Sequence, residues 1–460
     1  MRLLLLVVWL MLCCMPVLAD KPNILFIMVD DLGKEWIGSY GGEKIETPHI
    51  DQLAKDGMSF ANAWSMPQCT PTRVTLLTGQ YPFRHGWTNH WDVPRWGAGA
   101  HFDPTMNPSY PLVLRKAGYK TAAAGKWQID DFRVEPRAMH EAGFDRWCMW
   151  TGYETGVKAS RERFWNPYIA MDGKSKTRTG QFGPDVYCDF LVDFIKENCG
   201  GPMFVYFPMT LTHGPLTSTP DQPNSKGPDA FPGMVRYMDK LVGRLIQAFD
   251  EAGVRDKTYI VFTTDNGTGM GQKNQRQGTV VRAAKMKMNE AGTAMPFIVT
   301  GPGIKPGSET DALVDFTDIA PTFTDLAGTQ MPDQHVLDGK SFAPLLRGEA
   351  NDSPRQWILA MGGKPAKLRH GRVVPAQPYD DRVLRDKRFK VWVDTQGKII
   401  RLHDMLQDPW EKTNLLQSAP VTPEHSKAIA KFKAILASFP PEDQAPAYQA
   451  NPAQPWDLEK

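Results

Sequence analysis

The sequence predicts an α/β fold: a large sheet flanked by helices, followed by a small C-terminal antiparallel sheet with one helix. Three observations predict it. Short apolar runs without polar alternation recur as far as Thr300, the pattern of strands buried on both faces. Helical patterns lie between several of these runs, and strands alternating with helices indicate a largely parallel sheet. After about Gly348, strand-like runs follow one another across turns with no helix between them.

The elements follow in order. Residues 1–19 read as a secretory signal peptide, with Arg2 before the apolar run Leu3 to Leu12 and Val17-Leu18-Ala19 before Asp20. The competing reading, an uncleaved anchor, is disfavoured because a polar segment and a buried-type strand follow at once. Asn23 to Val29 is that first strand, and Thr47, Pro48 and Gly57 mark the cap, first turn and stop of a helix. Further strands are expected at Tyr119 to Ala124, Met203 to Phe207, Tyr259 to Thr264 and Pro296 to Thr300, with helices at Val186 to Asn198 and Gly233 to Ala252. Residues 20–348 thus form one catalytic-sized domain. Residues 349–440 form a subdomain with strands at Trp357 to Ala360, Arg388 to Val393 and Ile399 to Leu402. Its helix is capped by Thr422 and turns Ile429, Phe432 and Leu436 inward. Residues 441–460, rich in Pro, Ala and Gln, read as an extended surface tail.

Composition narrows the class. The chain has 460 residues, 42% hydrophobic and 23% charged, and a net charge of +2 with both signs scattered. That is a globular protein without the basic block of a nucleic-acid binder, and nothing beyond the leader is apolar enough for stable membrane association. Cys13 and Cys14 leave with the leader, so the exported chain keeps Cys69, Cys148, Cys188 and Cys199, too few for a disulfide scaffold. Cys188 and Cys199 flank one helix and lie too far apart to bridge, whereas one bridge from Cys148 to either is compatible with the spacing. Cys69 is left over and needs its own explanation.

In open α/β sheets, ligands bind beyond the carboxyl ends of the strands. Asp30-Asp31 follows the first strand, Gly125-Lys126 the second, His213 the third and Asp265-Asn266-Gly267 the fourth. Asp30, Asp31, Asp265 and Asn266 make a hard, oxygen-only set suited to Ca²⁺ or Mg²⁺, and no Cys/His pairing argues for zinc. Such residues also cap helices and make turns, but two pairs, each ending an apolar strand, favour the metal reading. Lys126 and His213 taken singly are ordinary surface or structural residues; position alone makes them candidates. In Cys69-Thr70-Pro71-Thr72-Arg73, Pro71 suits the first turn of a helix with Thr70 as its cap. Cys69 then sits just before a helix N-terminus, where free N–H groups attract anions, and Arg73 points to the same place.

Cys69-Thr70-Pro71-Thr72-Arg73 with Leu77-Thr78-Gly79 resembles the signature of the formylglycine-dependent sulfatases, which share the alkaline-phosphatase-like fold with its large mixed sheet. Pro22-Asn23-Ile24 to Asp30-Asp31, Thr47-Pro48-His49-Ile50-Asp51, Tyr81-Pro82 with Arg84-His85-Gly86, and Gly125-Lys126-Trp127 are similar to family segments, in family order. So are Thr264-Asp265-Asn266-Gly267, Asp318-Ile319-Ala320-Pro321-Thr322, and Leu402-His403-Asp404 with Asp408-Pro409 and Asn414-Leu415. The resemblance runs from Lys21 to Leu436.

It implies that a maturation enzyme oxidises Cys69 to formylglycine, whose hydrate supplies the nucleophilic oxygen. It also implies that Asp30, Asp31, Asp265 and Asn266 hold one Ca²⁺ that touches the group at Cys69. Arg73, Lys126 and Lys285 would neutralise the charge of the sulfate, and His213 would sit by the leaving oxygen. The sequence departs from the family at three points. Thr72 replaces a serine or alanine, the segment around Lys285 lacks the usual glycines and tyrosine, and Gln128 stands where many members have a histidine. Glutamine hydrogen-bonds but does not titrate near neutrality.

The expected protein is therefore a secreted or periplasmic sulfatase acting on a sulfated carbohydrate. The alternatives are a phosphoester or phosphonate hydrolase of the same superfamily and a non-catalytic sulfoglycan-binding protein. Trp87, His90, Trp91, Arg95 and Trp96 follow the catalytic helix; they either line a substrate pocket or pack as an ordinary loop.

Overall fold

A computed structural model describes residues 21–90 and 101–447, apart from positions 153, 270, 370, 371 and 419. Its centre is a mixed sheet of eleven strands. These are β1 (Asn23–Val29), β2 (Met58–Trp64), β3 (Lys120–Lys126), β4 (Arg146–Trp150), β5 (Tyr168–Met171), β6 (Lys174–Thr177), β7 (Met203–Pro208) and β8 (Thr258–Thr264). The last three are β9 (Ala294–Met295), β10 (Phe297–Thr300) and β11 (Ser308–Asp315). The order across the sheet is β9-β2-β10-β8-β1-β7-β3-β4-β5-β6, with β11 paired to β2. Parallel pairing holds through β8-β1-β7-β3-β4, whereas β10 runs antiparallel to β8 and β5 antiparallel to β4. The expectation of a largely parallel sheet thus fits the centre, and the resemblance to a mixed sheet fits the whole.

Every residue of β1 is buried, which is why its sequence shows no polar alternation. Leu25, Ile27 and Val29 pack with Leu191 of α3 (Gly183–Asn198) and Leu241 and Leu245 of α4 (Phe231–Glu251), on the face that α1 (Pro48–Asp56) also covers through Ile50 and Leu53. Ile24, Phe26 and Met28 face the other way, with Val74 and Leu77 of α2 (Cys69–Thr78) and Phe323 of α5 (Ile319–Leu326). The expected helix at Pro48 forms with Thr47 at its N-cap position, but the Thr47 hydroxyl makes no capping bond. It instead accepts from the Gly38 N–H at 3.0 Å and donates to Asp51 at 3.1 Å. Among the described residues no disulfide forms: Cys69, Cys148, Cys188 and Cys199 are all free.

The C-terminal sheet has four antiparallel strands: β12 (Ile358–Met361), then, after a separate two-stranded hairpin of β13 (Lys367–Arg369) and β14 (Arg372–Val374), β15 (Arg382–Arg385), β16 (Phe389–Val393) and β17 (Ile399–Asp404). β15 was not expected; its arginines mask a strand whose four residues are all buried. The final helix α6 (Pro423–Leu436) is capped by the Thr422 hydroxyl, which accepts from the His425 N–H at 3.2 Å. Phe432 is fully buried on its inner face, against a core that includes Trp64, Tyr81 and Phe83 of the main domain. No described helix is long and apolar enough to cross a membrane.

The described part of the tail is tied down rather than merely laid on the surface. Asp443 is buried and accepts from Arg382 Nη2 at 2.8 Å, and the Gln444 N–H donates to Phe83 O at 2.9 Å. Arg382 is itself fully buried, with its guanidinium 3.6 Å from the Tyr379 ring centroid. Removing one partner of a buried pair leaves an uncompensated charge. Asp443→Ala is therefore expected to destabilise the chain by about 3 kcal/mol in denaturant unfolding. An unchanged midpoint and slope would show that the tail is not part of the cooperative unit.

Candidate active site

The parallel register fixes the site. Val29 pairs with Thr264, so Asp30 and Asp265 leave the sheet side by side. The Asp265 N–H donates to Val29 O, and the Asp30 N–H donates to Leu211 O, both at 2.9 Å. The latter bond draws the loop after β7, with His213, over the same edge. Gly125, one residue before Lys126 at the end of β3, has φ of +126°, and a Cβ there would lie 1.9 Å from Pro208 O. Only glycine permits that approach. Gly267 plays the same part on the other side: a Cβ would lie 2.1 Å from Ala291 O. The segment carrying Lys285 can therefore close over Asn266.

α2 starts two residues earlier than expected. Cys69 is its first residue and Gln68 its cap, so Thr70 lies inside the helix rather than capping it. Gln68 makes no side-chain cap, which leaves the N-terminal amides open to an anion. All ten residues of this helix are buried, polar ones included. The Thr72 hydroxyl explains how: it bonds to Gln68 O at 2.7 Å and to Asp265 O at 2.8 Å, tying the helix to the carboxylate loop. The hydroxyl at this departure from the family pattern thus has a structural task. Gly79 ends the helix in the left-handed conformation, φ 70°.

Around Cys69 the charges interleave. Lys126 Nζ lies 2.6 Å from Asp30 Oδ2, Arg73 Nη2 2.9 Å from Asp265 Oδ2, and Lys285 Nζ 2.8 Å from Asp31 Oδ1. Asn266 Nδ2 donates to Asp31 Oδ1 at 2.8 Å, and the Asp31 N–H to Asp265 Oδ1 at 3.1 Å. One oxygen each of Asp30 and Asp265 and the sulfur of Cys69 all lie within 4.8 Å of one another. Burial alone would push every carboxyl up. For Asp30 it is overbalanced by Lys126, His213, Arg73 and Lys285, and for Asp31 by Lys285 and His213, so both sit below the usual carboxylate range. Asp265 is pushed up to about 7 by burial and then by the Asp30 charge, against the pull of Arg73. Lys285 goes the other way: Asp31 overcomes burial and holds its ammonium firmly charged. Burial pushes His213 down to about 3, so its imidazole is neutral.

His213 Nε2 stands 3.5 Å from Asp31 Oδ2, and Arg163 Nη1 lies 3.1 Å from the Nδ1 of the same ring. Arg163, stacked 3.7 Å from the Trp150 ring centroid, is a site neighbour that sequence reasoning missed. It belongs to an irregular segment without motif or periodicity. Gln128 is buried with φ of +63°, and its Oε1 has no hydrogen-bond partner. Of the expected pocket residues, His90 is part-buried with Nδ1 2.9 Å from Gln68 Oε1, at the lip of the site. Trp87 is core, packed near Phe102. Trp91, Arg95 and Trp96 lie outside the described residues.

The donors fit a hard cation. Asp30 Oδ1 and Asn266 Oδ1 are buried and make no hydrogen bond, which leaves lone pairs facing inward with nothing to accept.

Comparison with known proteins places the chain in a family. Residues 22–329 match the Sulfatase family, and residues 283–438 match the N-sulphoglucosamine sulphohydrolase C-terminal family. Arylsulfatase A of Bos taurus is 29% identical over 92% of this chain and 89% of its own length. The N-acetylgalactosamine-6-sulfatase of Homo sapiens is 29% identical over 73% of this chain and 68% of its own. The crystal structure of Ps i-CgsB superposes with a TM-score of 0.76 at 25% identity, covering 93% of this chain and 95% of that one. With the family match spanning the whole eleven-stranded sheet and every strand end that builds the site, this chain belongs to the sulfatase family and is a sulfuric ester hydrolase.

Proposed function

We propose that the chain hydrolyses sulfate esters of a carbohydrate, with a nucleophilic oxygen derived from Cys69 and one Ca²⁺ held by Asp30, Asp31, Asp265 and Asn266. The observation that carries this reading is the placement of Cys69. A thiol at the first turn of a buried helix, within 4.8 Å of two carboxylates, is a soft ligand in a hard-ion site. Oxidation to formylglycine by a maturation enzyme replaces that sulfur with oxygen, which suits both the ion and the helix N-terminus. Bound among these carboxylates, Ca²⁺ supplies positive charge to the sulfate oxygens and to the group at position 69.

The chain's own residues do the rest. Arg73, Lys126 and Lys285 supply fixed cations beside the carboxylate cluster, suited to the equatorial charge carried during in-line transfer. The neutral imidazole of His213 borders the position of the leaving oxygen, where it can hydrogen-bond that oxygen through a ring N–H. Gln128 offers an amide oxygen without a partner, which positions a hydroxyl without moving a proton. Net, an ester and water give the alcohol, sulfate and a proton. A carbohydrate ester is supported by the relative named for N-acetylgalactosamine 6-sulfate. Export of the mature chain to the periplasm or medium follows from the leader sequence, which lies outside the described residues.

Three tests address this reading. Protein from a host with maturation activity is expected to carry an aldehyde at Cys69, and activity to track its fraction by peptide mass spectrometry. Cys69→Ala is expected to fold and to lose kcat by at least about 1,000-fold; full activity from unmodified thiol would sink the mechanism. Asp265→Ala is expected to lose bound Ca²⁺ by elemental analysis together with activity, and wild-type metal content would remove Asp265 from the ligand set. Gln128→His is expected to keep activity within about tenfold and to add an ionisation to the kcat profile between pH 5 and 8. An unaltered profile and rate would mean that position 128 takes no part in proton transfer.

A further inference from the structure

We propose that a closed cavity between the main domain and the C-terminal subdomain binds a small inorganic oxyanion, sulfate or phosphate, through Lys34, Arg276 and Arg385. This is a second site, independent of the catalytic reading, and its ion is neither the substrate nor a ligand of the metal. The cavity measures about 170 Å³. One water takes about 30 Å³, so a four-oxygen ion and water fit. Its walls are Lys34 and Glu35 of the short helical turn after β1, Arg276 of the hairpin Lys273–Arg282, Glu290, and Arg385 and Trp410 of the subdomain.

Lys34 is marked by burial without a carboxylate. Among the described residues three lysines are buried: Lys34, Lys126 and Lys390. Lys126 has Asp30 at 2.6 Å, and Lys390 has Glu411 at 2.7 Å. Lys34 Nζ instead donates to Ala61 O at 2.8 Å and lies 5.3 Å from the centroid of the Tyr40 ring. An ammonium carries three N–H groups, and a buried one without a counter-ion is costly. Burial and then Arg276 push Lys34 down to about 7, with Arg385 adding to the push and Glu290 opposing it. Arg276 is also without a carboxylate at ion-pair distance among the described residues. Its Nε donates to Tyr40 O at 2.9 Å, and its guanidinium lies 5.9 Å from the Trp410 ring centroid. The two acids of the cavity do not close the balance. Glu290 is already shared between Arg385 Nη1 at 2.6 Å and Lys390 Nζ at 3.4 Å. Glu35 accepts from the Thr268 hydroxyl, and burial pushes its carboxyl up towards the neutral form. Three cations thus border one enclosed space with a single, engaged carboxylate. A tetrahedral oxyanion suits them, because it meets the fork of a guanidinium and the point charge of an ammonium at once. Held there, it would bridge Lys34 and Arg276 of the main domain to Arg385 of the subdomain, and so stabilise the folded chain by mass action.

The test uses the full, matured chain at fixed ionic strength, with labelled inorganic sulfate and inorganic phosphate titrated separately in equilibrium dialysis. Lys34→Met and Arg276→Gln are each expected to bind one oxyanion fewer per chain than the wild type, and the ion lost names the natural occupant. Both variants are expected to keep the KM for 4-nitrophenyl sulfate within twofold. Thermal unfolding gives a second reading: that oxyanion is expected to raise the wild-type midpoint by several degrees over chloride, and either variant to shrink the rise. In wild-type crystals soaked with selenate, anomalous density is expected between Lys34 and Arg276. The proposal is overturned by an unchanged number of bound ions in both variants, by chloride protecting as well as either oxyanion, or by selenate found at the catalytic centre alone. A chain that hydrolyses no sulfate ester yet loses one bound oxyanion in both variants would defeat the catalytic reading and support this site.

Discussion

Everything in the molecule is arranged around three carboxylates that share one water-poor pocket. Asp30, Asp31 and Asp265 are each buried, and burying an unpaired ion costs several kcal/mol even after the protein relaxes. Three cations meet them one to one: Lys126, Lys285 and Arg73. The balance leaves the pocket near neutral by itself. A divalent ion added to it would leave a surplus of two positive charges, enough to attract the single negative charge of a sulfate monoester.

The fold holds such a cluster because it draws each member from a different strand end. β1, β8, β3 and the loop after β7 deliver their polar residues to one edge through backbone register, not through side-chain flexibility. The costs of that arrangement concentrate there too. Asp31, Gln128 and Met286 are non-glycine residues with φ of 60°, 63° and 69°, and all three touch the site or its mouth. Left-handed backbone persists at such residues when the surroundings over-determine it, and functional sites are where it gathers.

How much of this the sequence showed depends on what kind of signal each part leaves. β1, β7 and β8 are legible because burial on both faces suppresses polar alternation, and Asp30-Asp31 and Asp265-Asn266 are legible because they break those runs. Caps are less so. Thr47 and Thr70 both read as N-caps, yet neither hydroxyl caps its helix: that of Thr47 bonds to the Gly38 N–H and to Asp51, and that of Thr70, inside α2, is buried without a partner. β15 was hidden because its arginines are buried through partners that lie far along the chain, Asp443 and Glu290. Arg163 meets His213 across fifty residues with no periodicity to announce it. Lys285 and Gln128 were visible only through resemblance, since no local pattern distinguishes them from surface residues.

The unpartnered polar atoms carry the argument one step further, because they differ in what they lack. Asp30 Oδ1, Asn266 Oδ1 and Gln128 Oε1 are all buried acceptors without a donor. An unmet buried acceptor costs about 1–3 kcal/mol, so three in one place is a standing expense that selection for stability alone would remove. The first two belong to the carboxylate cluster, where a cation satisfies a lone pair without a proton. Gln128 follows Lys126 by two residues, and its neutral oxygen is a weak ligand for an ion but a good partner for O–H. An anionic sulfate oxygen cannot satisfy it. A hydroxyl or an N–H standing before Gln128 would satisfy that oxygen, whereas a histidine in its place would bring a titrating group.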